Sequence, residues 1–128
     1  MREPEFLTPA IVEQLHADSL ALFGGSAGVR DRGMVESALA SARNTCLYGR
    51  GDLFDIAASY AFHIAEAQAY VDGNKRTAVA AALTFLKGND VRLNLDDAVI
   101  YDAMIAIAEK RMTKENLAAV FRKNAIDT

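Results

Sequence analysis

Apolar residues recur at spacings of three and four along most of this chain, the period of helices with one buried face. Thr8-Pro9 opens the first such run, a hydroxyl able to cap followed by a proline at the first helical position, where its missing N–H costs nothing. Ile11, Val12, Leu15, Leu22 and Phe23 define its expected buried face, and His16 lies at the edge of that stripe as a structural residue without a partner. Gly24-Gly25 ends the helix, and a glycine-rich loop leads to Arg30. Asp31 is placed to cap a second helix with Met34, Val35, Ala38 and Leu39 facing inward, ending near Arg43. Asp52 caps a third. Its charged and polar residues, Asp55, Ser59, His63 and Glu66, fall on one narrow stripe expected to face solvent, while the rest of Leu53 to Ala67 is apolar or small.

The fourth run is different in kind. From Thr77 to Leu86 it carries no charge, and Ala78, Ala80, Ala81 and Ala82 are spread around its circumference, so it reads as a central helix that neighbours approach closely. Gly88-Asn89 stops it, Val91 to Leu95 forms a short extended link, and Asn94 or Asp96 starts a fifth helix with Val99, Ile100, Met104, Ile105 and Ile107 as candidates for burial. Thr113 caps a sixth, running through Arg122. No strand-like alternation is long enough for a sheet. The expected fold is all-α: one domain over residues 1–128, a compact bundle of about six helices in which 52–67 and 74–87 are buried and joined by a short loop.

Composition narrows the function classes. A net charge of −3 speaks against a dedicated nucleic-acid binder, so no direct DNA binding is expected. One cysteine, Cys46, excludes an internal disulfide, reads as an inert packing residue and fits a reducing cytoplasm; with two histidines it also makes a structural zinc site improbable. No apolar run is long enough to span a membrane, and the first residues lack a signal-peptide profile, so a cytoplasmic protein is expected. The cations Lys110, Arg111, Lys114, Arg122 and Lys123 read as a solvated face.

The chemistry concentrates between Gln68 and Thr77. A carboxylate, Asp72, precedes a Gly73-Asn74 turn, and two cations, Lys75 and Arg76, open the uncharged helix. Glycine lets a backbone approach a ligand, and the free N–H groups and dipole of a helix start favour an anion. A nearby carboxylate suits Mg²⁺ shared with phosphates. The same residues also compose an ordinary turn before a helix. The spacing is not that of a Walker A loop, since Gln68 stands five residues before Gly73, and Gly24 to Gly28 lacks the spacing of a dinucleotide fingerprint.

Tyr70-x-Asp72-Gly73-Asn74-Lys75-Arg76-Thr77-Ala78 resembles the signature of the Fic/Doc family, specifically its Doc (death-on-curing) toxin branch, which reads His-x-Phe-x-Asp-(Ala/Gly)-Asn-Lys-Arg. Gly28-Val29-Arg30-Asp31, Met34 to Leu39 and Ala80 to Leu86 are similar to Doc-like chains as well. One position departs: Gln68 stands where the family has its general-base histidine. Glutamine can hold a hydroxyl but cannot accept its proton, and losing a positioned base costs roughly 10²- to 10⁴-fold in rate. Gln68 is either natural, giving a binding-only relative, or a substitution made to tame a toxic chain; the intact remainder of the motif favours the second.

The resemblance implies a role for each matching residue. Asp72 would bind Mg²⁺ bridging the phosphates of ATP; the amides of Gly73, Asn74 and Lys75 would form an anion nest, with Asn74 also fixing the loop; Lys75 and Arg76 would neutralise the transferred group. Tyr70 takes the place of the family's loop-anchoring Phe, with a hydroxyl that needs a partner if buried. Gln68 itself, continued at helical pitch, should point inward to the mouth of the loop. Members that transfer AMP usually have glycine at the position of Lys75 and a second arginine at that of Val79; Doc-type members resemble this chain at both, and are implied to be kinases that phosphorylate a threonine of elongation factor Tu. The implied partner is a Phd-type antitoxin whose disordered tail folds into an exposed groove. The segment Asn44 to Gly51 is expected to be the flap that lines the target groove. An AMP transferase and a non-catalytic binding module are the alternatives.

Overall fold

A computed structural model describes residues 4–48 and 51–126. Six helices and one pair of very short strands follow in the order α1 (Pro9–Phe23), α2 (Arg32–Tyr48), α3 (Leu53–Ala67), α4 (Asn74–Gly88), β1 (Arg92–Leu93), α5 (Asp97–Ala108), α6 (Lys114–Lys123) and β2 (Ala125–Ile126). The fold is an all-α bundle. The expected link after α4 pairs, as β1, antiparallel with β2, Arg92 opposite Ile126 and Leu93 opposite Ala125. Two residues are too few for alternation to betray a strand.

Helices α3 and α4 form the centre, α3 flanked by α2 and α6 and α4 by α1. Alanines bring the two close: Ala57, Ala58 and Ala61 of α3 and Ala78, Ala81 and Ala82 of α4 are fully buried. Larger side chains fill the ends of this seam. The ring of Tyr60 lies 5.3 Å from that of Phe85, and its hydroxyl, its pKa raised by burial, accepts a hydrogen bond from the Leu7 N–H at 3.0 Å.

The caps are those expected. Thr8, Asp52, Asp96 and Thr113 each accept a backbone N–H at a helix start, and at α3 the Asp55 carboxylate returns a bond to the Asp52 N–H, completing a capping box. Asp31 likewise accepts from the Met34 N–H at 3.3 Å.

Burial departs from the apolar pattern in three places. In α1 the covered face is Val12, His16 and Ser19, while Leu22 and Phe23 are 76% and 62% exposed and Ile11 is also exposed. The helix turns two polar residues inward where it packs beside the loop that starts α4: His16 meets the Asp72 carbonyl there, while the Ser19 hydroxyl is buried with no partner among the described residues. Secondly, α2 continues past Arg43 to Tyr48 and lies against part of the stripe on α3 expected to be wet, of which Glu66 stays exposed. Ser59 is fully buried, its Oγ 3.2 Å from Thr45 Oγ1, and His63 is half-buried. Thirdly, Met34 and Val99 are exposed, whereas Ala103 and Ala106 join Met104 and Ile107 in the interior of α5.

The same extension of α2 corrects the flap assignment. Residues 44–48 are helical, 49–50 and the side chain of Cys46 lie outside the described residues, and Gly51 sits at the start of α3. Fifteen residues of helix separate Gly51 from Gln68, a length of about 22 Å at the usual helical rise. This segment therefore stands at the opposite end of α3 from the motif loop.

Candidate functional site

Helix α3 stops at Gln68, whose backbone is left-handed (φ 51°, ψ 38°). The chain turns there instead of continuing at helical pitch, and the Gln68 side chain is exposed, not inward. Its Nε2 donates to the Ala65 carbonyl at 2.9 Å, and its Oε1 faces the loop, 3.5 Å from Asn74 Nδ2. Ala69 to Val71 then run extended against the segment after α1. The N–H groups of Arg30 and Asp31 donate to the Ala69 carbonyl at 2.6 and 3.3 Å, the Val71 N–H donates to the Gly28 carbonyl at 3.1 Å, and Val29 faces Tyr70 in an antiparallel bridge. Gly28 permits this approach: at φ 138° a side chain is strained, and a Cβ would sit 3.0 Å from Val71.

Asn74 holds the loop closed. Its Oδ1 accepts the Tyr70 N–H at 3.0 Å and its Nδ2 donates to the Tyr70 carbonyl at 2.9 Å. The N-cap of α4 is Gly73 (φ 82°, ψ 15°), with no side-chain cap. The Thr77 N–H makes the first intrahelical bond, to the Gly73 carbonyl at 2.9 Å. The amides of Asn74, Lys75 and Arg76 precede it, so no intrahelical carbonyl reaches them. A left-handed glycine before a right-handed start is the backbone of an anion nest.

From α1, His16 Nε2 donates to the Asp72 carbonyl at 2.8 Å, and its ring stacks on Tyr70 with centroids 3.8 Å apart and 13° between planes. His16, expected to lack a partner, thus has two. Tyr70 is 1% exposed, with its hydroxyl bonded to nothing among the described residues. Burial, reinforced by the Glu13 charge and opposed by Arg32, raises its pKa.

The charged residues spread to two sides of the helix start. Asp72 is exposed, and its Oδ2 accepts the Ser26 N–H at 2.8 Å. Arg76 lies over the Phe23 ring, 4.5 Å from its centroid. Lys75 turns the other way and lines, with Gln68, Glu66, Ile107 and Lys110, a cleft of about 150 Å³ against the end of α5. No ion pair joins Asp72 to Lys75 or Arg76 among the described residues. Gln68 and Lys75 thus come together, while Asp72 and Arg76 lean toward α1.

No cluster of three or more His, Cys, Asp or Glu able to hold a metal occurs among the described residues. A lone carboxylate beside free helix-start amides still fits Mg²⁺ of the kind shared with phosphates, which needs only one or two protein oxygens. Chain pattern alone did not indicate His16, Phe23, Gly25 or Ser26 as neighbours of the motif. The one available signal was the glycine run itself, since a Cβ on Gly25 would lie 3.2 Å from that of Asp72.

A larger cleft, about 600 Å³, lies at the other end of α3 between Ser41, Asn44, Thr45, Asp55, His63, Lys114 and Glu115. His63 Nε2 is 3.3 Å from Lys114 Nζ. Burial and then the Lys114 charge lower its pKa, against the opposing pull of Glu66.

Residues 6–86 match the model of the Fic/DOC family. A protein named protein kinase doc, from Escherichia phage P1, is 28% identical over 118 residues, 91% of this chain and 93% of that protein. A protein named toxin Doc, from Mycolicibacterium smegmatis, is 42% identical over 110 residues, 82% of this chain and 83% of the other. The chain belongs to the Fic/DOC family, on its Doc branch.

Proposed function

We propose that this protein is a Doc-type toxin whose fold is that of a nucleotide-dependent phosphotransferase, with the step that removes a proton from the acceptor hydroxyl crippled at Gln68. The observation that carries the reading is the start of α4: free amides after a left-handed glycine, Lys75 sharing a cleft with Gln68, and a loop locked by Asn74. Phosphoryl transfer is mostly positioning and charge stabilisation, for which such a rigid, positively charged helix tip is suited.

ATP would place its phosphates on the nest of Gly73, Asn74 and Lys75, and Asp72 would hold Mg²⁺. The metal would neutralise phosphate charge and orient the group to be transferred. Lys75 and Arg76 balance the remaining negative charge from opposite sides, Arg76 steadied by the Phe23 ring. Gln68 can orient the acceptor hydroxyl through its amide but leaves the proton in place. The acceptor is a protein hydroxyl, by the family's pattern a threonine of elongation factor Tu, and the antitoxin partner is of the Phd type acting in the cytoplasm. No helix of the described residues is long and apolar enough to cross a membrane.

Transfer of AMP is disfavoured by Lys75 and by Val79, a half-buried aliphatic where that chemistry calls for a second arginine. A binding-only module is the second reading, supported by the missing base itself. The test is calorimetric titration with ATP and Mg²⁺ of this chain and of Asp72→Ala, followed by Gln68→His with ATP labelled at the γ or the α phosphate. Label transferred from the γ position and growth arrest support the kinase; label from the α position means AMP transfer; a folded Gln68→His that neither binds nucleotide nor harms cells, yet holds a partner, means a binding module.

A further inference from the structure

The peptide between Asp72 and Gly73 has no intrinsic reason to adopt one orientation. Gly73 is left-handed at φ 82°, and glycine accepts positive and negative φ about equally, so this peptide plane could turn over at little cost. Gly73 makes no side-chain cap, and the Asn74 side chain, which fixes the loop, grips Tyr70 and not this peptide. The group that does grip it comes from another helix. His16 donates to the Asp72 carbonyl at 2.8 Å, and its own ring is held flat against Tyr70 and buried to 7% exposure.

In a trans peptide the C=O and the following N–H point in opposite directions. With the Asp72 carbonyl drawn toward α1, the Gly73 N–H faces away from α1, and it donates to nothing among the described residues. We infer that His16 is a positioning residue: its ring N–H holds the Asp72–Gly73 peptide in the orientation that aims the Gly73 amide into the anion nest. It touches no substrate. Without it the peptide is free to turn, and a carbonyl oxygen would then face the phosphate where a donor should stand. The ring also lies beside the glycine, where a Cβ on Gly73 would be in ordinary van der Waals contact with it at 3.5 Å. The inference rests on the motif loop being a phosphate site, as proposed above.

The test keeps the ring stack and removes only the donor. His16→Phe retains a flat ring for Tyr70, whereas His16→Gln restores an N–H at similar reach. Three measurements are compared in the full chain: the melting temperature, the amide NMR shift of Gly73, and the affinity for ATP with Mg²⁺ by calorimetry. In the unchanged chain, ATP should move the Gly73 amide resonance. His16→Phe should melt within a few degrees of it yet bind ATP about tenfold more weakly, roughly what one charge-assisted hydrogen bond contributes, and lose the Gly73 response; His16→Gln should recover both. A folded His16→Phe that binds ATP as tightly and moves Gly73 as far overturns the role of His16 and leaves the phosphate site standing. An unchanged chain whose Gly73 amide ignores ATP overturns both the site and this inference. Should His16→Phe unfold, failure of folded His16→Gln to keep the Gly73 response overturns the inference, and retention supports it.

Discussion

The two ends of α3 treat charge in opposite ways. At its start, Asp52 and Asp55 cap the helix and each other's backbone, and Arg122 closes on both, its Nε and Nη2 3.0 Å from the two Asp52 oxygens and its Nη2 3.3 Å from Asp55. Beyond its end, the Asp72 carboxylate meets a backbone amide, Arg76 rests on an aromatic face, and Lys75 lines an open cleft. Opposite charges that could neutralise each other stay apart. The first end ties α6 to α3 through paired charges, and at the second the charges are not paired with one another among the described residues.

Substitutions at the two ends should therefore have different signatures. The largest effect is expected at Gln68, where Gln68→His should raise phosphoryl transfer by roughly 10²- to 10⁴-fold. The backbone accepts it, since histidine is among the residues found more readily in the left-handed region. A folded Gln68→His with no gain in labelled target would remove the claim that only the base is missing.

Next comes Asp72→Ala, expected to weaken Mg²⁺-dependent ATP binding on the order of tenfold or more while leaving the unfolding midpoint nearly unchanged. A loss of stability without a loss of affinity would instead make Asp72 a loop tie to Ser26, on a par with the Asp52 end.

A smaller change is expected at the buried hydroxyl beneath the loop. Tyr70→Phe should stabilise the fold by about 1 kcal/mol in urea titration, because it removes a polar atom desolvated without a partner. A destabilised Tyr70→Phe would mean the hydroxyl has found a bond worth keeping.

The smallest effect belongs to the paired end. Arg122→Ala should cost about 0.5 kcal/mol, since the pair is well exposed, and should leave ATP binding untouched. It should also alter the acid limb of unfolding. Burial pushes the Asp52 pKa up, but the Asp55 amide and Arg122 outweigh it and the net shift is downward. A carboxylate depressed in the folded state stabilises it above its unfolded pKa, about 3.9, and that contribution fades as pH falls through the folded value. Arg122→Ala should therefore flatten the loss of stability below about pH 4, and an unchanged acid limb would show that Arg122 contributes nothing there.

Periodicity and punctuation were sufficient for much of this molecule. The capping hydroxyls and carboxylates at Thr8, Asp31, Asp52, Asp96 and Thr113, the uncharged α4 and the Gly73-Asn74 turn mark helix starts and a central element because they act on their own few residues. The motif, read as a string, also indicated the family to which the chain belongs. Where the reading failed, a distant element had decided. Ser59 has a polar helical spacing but is buried because α2 runs on past Arg43, and Leu22 and Phe23 have a buried spacing but stay exposed, Phe23 meeting only the Arg76 side chain of α4 among the ring contacts of the described residues.

The local sequence determined which residues carry charge, which turn and which start a helix, since those properties depend on side chains and backbone within a turn of each other. Only the tertiary structure decided that His16 lies beneath the Asp72 carbonyl, that Ser26 meets the Asp72 carboxylate and that Arg76 settles on Phe23. These contacts join α1 and the loop after it to the motif across more than forty residues. Spacing along the chain cannot report them, because they depend on how α1 lies against α4.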